Sequence, residues 1–394
     1  MHNTQTKKNI PELRFPEFEG EWEEKKLGDM AEIVRGASPR PIKDKKWFDN
    51  NSNIGWLRIS DVTAQNGRIK HLEQRLSALG EQKTRVLYSQ HLLLSIAATV
   101  GKPVINYVNT GVHDGFLIFM NPEFDIEYLY QWLENFRGKW KKYGQPGSQV
   151  NLNSDIVKNQ KIWIGSLSEQ QKIGAFFSKL DQQIELAEKK VSLLQEQKKG
   201  YMQKIFSQQL RFKDENGNDY PEWEEKKLGE VFIFFNNQRK PIKESIRTKG
   251  KYPYYGATGV IDFVDNYIFE GEYILIGEDG ANILSRSAPL VYLTTGKFWV
   301  NNHAHILLPK TGNIYYFYSL LEEIDYSKYN TGTAQPKLNI QNLKHILLLL
   351  TTDIGEQQKI GAFFSKLDQR IELASQKVEQ LKEQKRGLLQ KMFV

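Results

Sequence analysis

The sequence contains no cysteine, which rules out disulfides and thiolate metal sites and suits a reducing compartment. It has no apolar stretch of about 18 residues, the length needed to span a bilayer. Its oiliest run, Ile346–Leu350, is far shorter. No signal-peptide pattern opens the chain, so a cytoplasmic protein without a membrane anchor is expected. Catalytic signatures are missing as well. There is no Gly-x-x-x-x-Gly-Lys-Ser/Thr loop for ATP and no His-Glu-x-x-His. Asn121-Pro-Glu-Phe124 has only the outline of an Asn-Pro-Pro-Phe methyltransferase motif, and no Ser-His-Asp or paired-carboxylate set stands out. His303 and His305 share a face if their segment is a strand, but no acidic third ligand is near in sequence, so they read as structural. The chain reads as non-catalytic, with no metal and no cofactor of its own.

What the chain does have is length, cationic excess and internal repetition. At 394 residues, 40% of them hydrophobic, it exceeds one compact domain. Its 54 Lys and Arg against 47 Asp and Glu leave a net charge of +7, which favours an acidic partner such as nucleic acid. Glu169–Gln182 returns letter for letter as Glu356–Gln369. Trp22-Glu-Glu-Lys-Lys-Leu-Gly28 returns as Trp223 to Gly229, and Leu13-Arg14-Phe15 as Leu210-Arg211-Phe212. Two long units therefore make up nearly the whole chain. This is a duplication rather than a solenoid.

Each copy of the longest repeat opens a helical pattern. From Ile173, apolar positions alternate in steps of four and three through Phe177, Leu180, Ile184, Ala187, Val191 and Leu194 to Lys198, Tyr201 and Ile205. From Ile360 the same rhythm runs through Phe364, Leu367, Ile371, Ala374, Val378 and Leu381 to Lys385, Leu388 and Met392. A 3.5-residue period held this long marks a coiled-coil seam. The two seams are matched, so they are expected to pair with each other. Because the link of about 207–222 is too short for the chain to travel back along a rod of about 48 Å, antiparallel pairing is expected, with the two bodies at opposite ends. The seam lysines either set the register or extend their stems to solvent; the pattern leaves both open. Ser168, three residues before Gln171, reads as a capping box, with Gly355 in its place in the second copy.

Between the repeats lie two bodies, about 29–167 and 230–354, that differ in sequence but share a skeleton. In the first, Ile54–Val62, Leu92–Val100 and Val112–Met120 read as strands and Glu127–Tyr143 as a helix. In the second, Glu272–Ile276, Leu290–Leu293 and Lys297–Leu308 read as strands and Ile314–Tyr329 as a helix. A Gln-x-x-Leu-Asn order then ties Gln149 and Asn153 to Gln335 and Asn339. The expected class is α+β. It comprises a first domain over 1–167, a spacer helix over 168–209, a second domain over 210–354 and a second spacer helix over 355–394, with the helices forming an antiparallel coiled coil.

Cationic and amide residues cluster in both bodies. The first offers Arg35, Arg40, Lys43, Lys45, Lys46, Arg58, Arg68, Lys141 and Lys142, with Tyr143, Gln145, Ser148 and Gln149 interleaved. The second offers Asn237, Gln238, Arg239, Lys240 and Lys243, then Tyr254, Tyr255, Asn302, Thr333, Gln335 and Lys337. Arg and Lys suit guanine edges or phosphates, and Asn and Gln suit adenine, so these are candidate DNA contacts. Two unlike heads imply an asymmetric, two-part target. Off the seam, Phe176, Leu186 and Phe206 recur as Phe363, Leu373 and Phe393. They either receive partner helices or pack against the chain's own domains.

Two variable bodies, each followed by a duplicated long helix, resemble the DNA-specificity subunit of type I restriction–modification enzymes. The repeated Trp-Glu-Glu-Lys-Lys-Leu-Gly segments are similar to those that open its target-recognition domains, and Glu169–Gln182 and Glu356–Gln369 to the starts of its central helices. Gly277-Glu-Asp-Gly-Ala281 followed by Asn302-His303 also resembles a pattern of these domains. The first body departs from it, with Ala98-Thr-Val-Gly101 and His113-Asp114. The resemblance implies a scaffold without chemistry of its own. It would bind double-stranded DNA, two methyltransferase subunits and two motor–nuclease subunits. S-adenosylmethionine, ATP and Mg²⁺ would belong to those partners. The competing expectation is a DNA-binding or architectural protein that needs no partner.

Overall fold

A computed structural model of the chain describes residues 9–143 and 152–394. The chain divides into two compact units, one formed by residues up to Ala187 together with Lys377–Val394, the other by Glu188–Gln376. Each is α+β. The first long helix, Leu167–Phe206, begins in the first unit and ends in the second; the second long helix, Ile354–Met392, does the reverse. Among the described residues no helix is long and apolar enough to cross a membrane.

The first unit centres on a five-stranded sheet in the order Glu32–Arg35, Phe116–Met120, Leu92–Ser95, Pro103–Asn106 and Arg68–Ile69. A smaller sheet joins Gly55–Leu57, Thr110–Val112 and Arg85–Leu87. The second unit has two four-stranded sheets. One runs Phe232–Phe234, Ala304–Pro309, Tyr273–Gly277, Val291–Thr294; the other runs Gly259–Val264, Lys249–Gly256, Lys297–Val300, Phe269–Glu270. The repeated Glu-Glu-Lys-Lys letters form a strand in both units, pairing Glu23–Lys26 with Lys161–Ile164 and Glu224–Lys227 with Leu347–Leu350.

Several expected elements prove shorter, each for a local reason. Ile54–Val62 is a strand only to Leu57, because the Asp61 carboxylate accepts from the Arg58 backbone N–H (2.9 Å) and starts a helix at Ile59. Lys297–Leu308 splits where the Asn301 side chain accepts from the His303 N–H (2.8 Å), closing a turn that strand periodicity cannot reveal. His113-Asp114-Gly115 interrupts Val112–Met120 in the same way, and Leu92–Val100 ends at Ser95. The expected helices end early too, at Phe136 and Glu322, each giving way to a 3₁₀ turn, Arg137–Tyr143 and Tyr326–Tyr329. The cap of the first long helix is Ser166 rather than Ser168, and its counterpart is Asp353. They accept from the N–H of Glu169 (3.3 Å) and Glu356 (2.9 Å). The repeated Asn153 and Asn339 are also caps, on short helices beginning at Ser154 and Ile340.

The letters kept identical between the copies converge on one point in each unit. Glu169 is buried, and its carboxylate takes a forked pair from Arg14 (2.7 and 2.8 Å) and a third bond from the Trp22 indole N–H (3.1 Å). Glu356 does the same with Arg211 (3.2 and 3.1 Å) and Trp223 (3.0 Å). The next residue, Gln170 or Gln357, accepts from the backbone of Asp125 (3.1 Å) or Asn313 (3.0 Å), the N-cap of the body's main helix. Gly174 and Gly361 lie so close to those caps that a Cβ would collide with the Asp125 carboxylate or the Asn313 amide.

Within each unit the long-helix segments run antiparallel. In the first, Phe177 stacks on Phe393 while Asp181 pairs with Lys385 (2.5 Å); in the second, Tyr201 meets Phe363 while Lys198 pairs with Asp368 (2.6 Å). The seam lysines therefore bond across the seam and fix its register, rather than running out to solvent. Asp181 also accepts from Gln131 (2.8 Å) and Arg68 (3.0 Å). Burial alone would raise its pKa; Lys385, Gln131 and Arg68 hold it below the ordinary carboxylate range. Its folded value thus lies below the unfolded one of about 3.9, so its contribution is complete above that pH and is lost as pH falls through the folded value. Asp181→Asn is expected to flatten this part of the acid limb in the first unit, read as urea midpoint between about pH 6 and about pH 2. An unchanged acid limb would contradict it.

Candidate nucleic-acid interface

In the second unit, four chain segments meet around Glu278, which follows the strand Tyr273–Gly277. Its carboxylate accepts from Arg239 (2.6 Å) and lies 3.5 Å from Lys337. Its backbone receives Leu338 (2.7 Å) and donates to His303 (2.8 Å). Arg239 also donates to the carbonyls of Asn302 (3.3 Å) and Ala304 (2.8 Å). Asp279 contacts the His303 ring at 2.7 Å. Burial would push the Glu278 pKa up, but the hydrogen bond and charge of Arg239, with the charge of Lys337, hold it below the usual range. His305 is fully buried, and burial lowers its pKa. It is thus neutral, its Nδ1 accepting from the Asn236 amide (2.8 Å) and its Nε2 donating to the Leu338 carbonyl (2.9 Å).

This framework carries a loop. Asn330 accepts from the N–H of Gly332 (3.0 Å) and Lys337 (2.8 Å), closing residues 331–337 on themselves. Gly332 is required, because a Cβ there would overlap the Gln335 carbonyl. Exposed on the loop are Thr333 and Gln335; beside it stand Asn302 and, on the turn after Phe232–Phe234, Asn237 and Gln238. Amides and hydroxyls held on a rigid frame are the groups that read base edges.

The first unit builds a related site where its strand Phe116–Met120 begins. Asp114 accepts from the Ser38 hydroxyl (2.7 Å) and Arg40 (2.6 Å), and Arg35 donates to the Asp114 carbonyl (2.6 Å). His113 is wedged between Trp56 and Phe116, and burial lowers its pKa. Arg40, Lys43 and Lys45 are exposed there. Lys46 pairs with Asp44 (3.0 Å) and lies over Trp47. Lys141 and Lys142 are exposed, with Lys142 over Tyr143, whose hydroxyl donates to Gln160 (2.9 Å). Gln145, Ser148 and Gln149 lie outside the described residues.

Several of the expected contact residues are engaged within the fold. Arg68 is largely buried and forks onto Glu127 (2.7 and 2.8 Å) while reaching Asp181, so its charge is spent inside the fold. Arg58 is tied to Asp61 (2.8 Å) and Arg239 to Glu278. Tyr254 is buried beneath the Arg247 guanidinium, and Tyr255 packs edge-on against Phe298. Lys240 and Lys243 remain exposed. The supporting carboxylates Glu278 and Asp114 were missing from the residues expected at the site. Their signal was an acidic residue closing a β-rich run; Glu278 stood inside the motif quoted for the family, and Asp114 where the first body departs from it.

The aromatic residues expected to receive partners mostly serve the chain itself. Phe393 lies against Tyr128 and Phe177, Phe206 against Trp223 and Phe364, Phe176 against Phe15, and Phe363 against Phe212. Helix ends carrying large rings pack most easily onto the nearest core. Leu186 and Leu373, by contrast, are 67% and 65% exposed. Among the described residues no cluster of His, Asp and Glu is suited to a metal ion.

A family model described as type I restriction modification DNA specificity domain matches residues 19–196 and 220–383. The chain belongs to this family. The specificity protein is 26% identical to the EcoprrI specificity subunit of Escherichia coli over 348 residues, covering 83% of each chain. It is 39% identical to a putative type I restriction enzyme specificity subunit of Haemophilus influenzae, over 126 residues, or 32% of each chain. The crystal structure of a type I restriction–modification S subunit from M. genitalium shares the fold, with a TM-score of 0.67 at 18% identity over 98% of this chain and 99% of that one. The two roles of arginine separate cleanly. Arg40→Met is expected to weaken duplex binding and lower its salt slope by about one, with little effect on Tm. Arg68→Met should instead cost about 3–5 kcal/mol of stability by leaving the Glu127 carboxylate without its cation. The reverse pattern in filter-binding and thermal melts would contradict this division.

Proposed function

We propose that each unit of this specificity protein reads one half of an asymmetric, bipartite DNA target, and that the chain has no reaction of its own. Two methyltransferase subunits and two motor–nuclease subunits would dock on it in the cytoplasm and would supply S-adenosylmethionine, ATP and Mg²⁺ chemistry. The observation that carries the reading is the division of labour between repeated and unrepeated residues. The duplicated Trp22, Leu27, Glu169, Gln170, Ile173 and Phe177, like their counterparts Trp223, Leu228, Glu356, Gln357, Ile360 and Phe364, fill buried positions, while the exposed groups around Asp114 and around Glu278 differ between the units. Unlike surfaces on like frames suit two different sequences. The matched exposure of Leu186 and Leu373 supports a partner that binds twice, since an apolar side chain kept in both copies at a solvent position has no role in either core.

The test is an exchange. Replacing residues 29–167 with the corresponding body of another specificity protein is expected to change one half of the methylated target and leave the other intact, as read by methylome sequencing. A change in both halves, or in neither, would contradict the assignment. Nanomolar binding to the specific duplex by the chain alone at physiological salt would favour the partner-independent alternative.

A further inference from the structure

The second unit shows an apolar surface that its candidate interface does not use. The hairpin Lys249–Gly256 and Gly259–Val264 ends its sheet, and Val260, Ile261 and Phe263 on its edge strand are 46%, 45% and 52% exposed. Only Tyr254 and Tyr255 of the inner strand pair with the next strand, so the part joining Lys249–Pro253 to Phe263 and Val264 is a two-stranded ribbon, and Val260, opposite Tyr255, and Ile261 stand at its base. Asp262 lies on the same edge strand but is engaged by Arg247 (3.3 Å), and its carboxylate also accepts the Phe263 N–H (2.8 Å). That bond satisfies an edge donor and disfavours pairing with another strand.

Two observations identify what this surface meets. The inner strand carries exposed Lys249 and Lys251 and the segment leading into it exposed Lys240 and Lys243, none in an ion pair among the described residues, which suits a polyanion. The hairpin is also bonded into the candidate interface. The Tyr255 carbonyl accepts from the Asn301 N–H (3.0 Å), in the turn that presents Asn302 and His303. A two-stranded ribbon fits the major groove, and the apolar feature displayed there is the thymine 5-methyl group.

We infer that Val260, Ile261 and Phe263 pack against thymine methyl groups in the half-site read by the second unit, and so select T·A pairs there. This rests on the bipartite reading proposed above. The edge-strand side chains supply no hydrogen bond, so their contribution is discrimination by contact, while the lysines hold the backbone on either side.

The test uses the full chain with its methyltransferase partner and its methylome-defined target. Thymines are replaced by deoxyuracil in one half at a time, which deletes only the methyl. Uracil in the second unit's half-site is expected to weaken binding about four-fold per contacted methyl, the equivalent of burying about one CH₂. The same exchange in the other half leaves affinity unchanged. Val260→Ser with Ile261→Ser and Phe263→Ser should bind thymine and uracil duplexes alike. Equal binding of both duplexes by the unaltered protein overturns the inference, while a retained preference for the target over a scrambled duplex keeps the bipartite reading. A serine variant that discriminates normally but loses its methyltransferase partner would assign the patch to that protein and likewise overturn it. Loss of all target preference in the unaltered complex would instead remove the reading beneath it.

Discussion

A carboxylate taken out of water must be neutralised by partners held in place, and this chain meets that demand twice in the same way. Glu169 and Glu356 are each closed in by an arginine fork and an indole N–H. The three groups come from three separate stretches: the Leu-Arg-Phe arm, the tryptophan strand and the start of a long helix. Loss of the arginine leaves a buried carboxylate without its cation, at a cost of about 3–5 kcal/mol, and loss of the indole leaves it one hydrogen bond short. That cost explains why these stretches stay alike while the bodies between them differ. Gln170 and Gln357 extend the tie by one residue to the cap of the main helix, so arm, ribbon, body and spacer share one fixed point in each unit.

The two copies are not equally reinforced. In the first unit the seam pair Asp181–Lys385 is joined by Arg68 and Gln131, which links the recognition body to both helix segments through buried bonds. In the second, Lys198–Asp368 has Tyr318 beside it and, among the described residues, no such arginine, and Ser319 bonds its own helix instead. The duplicated frame is thus tuned separately where the bodies touch it. Charge within a frame and charge on a surface look alike in a sequence, and this is where they part.

Much of the fold was legible for that reason. Letter-for-letter repetition marked the segments whose environment is shared, and the seam rhythm identified both helices and their pairing. The limits of the strands were less legible, because a side chain such as Asp61 or Asn301 can end a run of β-formers through one backbone bond. Site residues divided along the same line. Exposed amides at Asn237, Gln238, Asn302 and Gln335 were readable from loop composition. Arg68 and Arg239 were not, because their carboxylate partners lie far off in the chain, at Glu127 and Glu278. The aromatic residues off the seam were ambiguous because helix ends carry large rings for internal packing as readily as for docking.

The two units thus set unlike exposed polar groups on a duplicated frame whose anchoring carboxylates are internal. The decisive measurement is a double-mutant cycle on Arg14→Met and Glu169→Gln, with stability and methylated target both recorded. The account predicts that each single change costs several kcal/mol, that the pair costs no more than the worse single change, and that the folded fraction still methylates the same sequence. Additive losses, or a shifted target with stability intact, would contradict it.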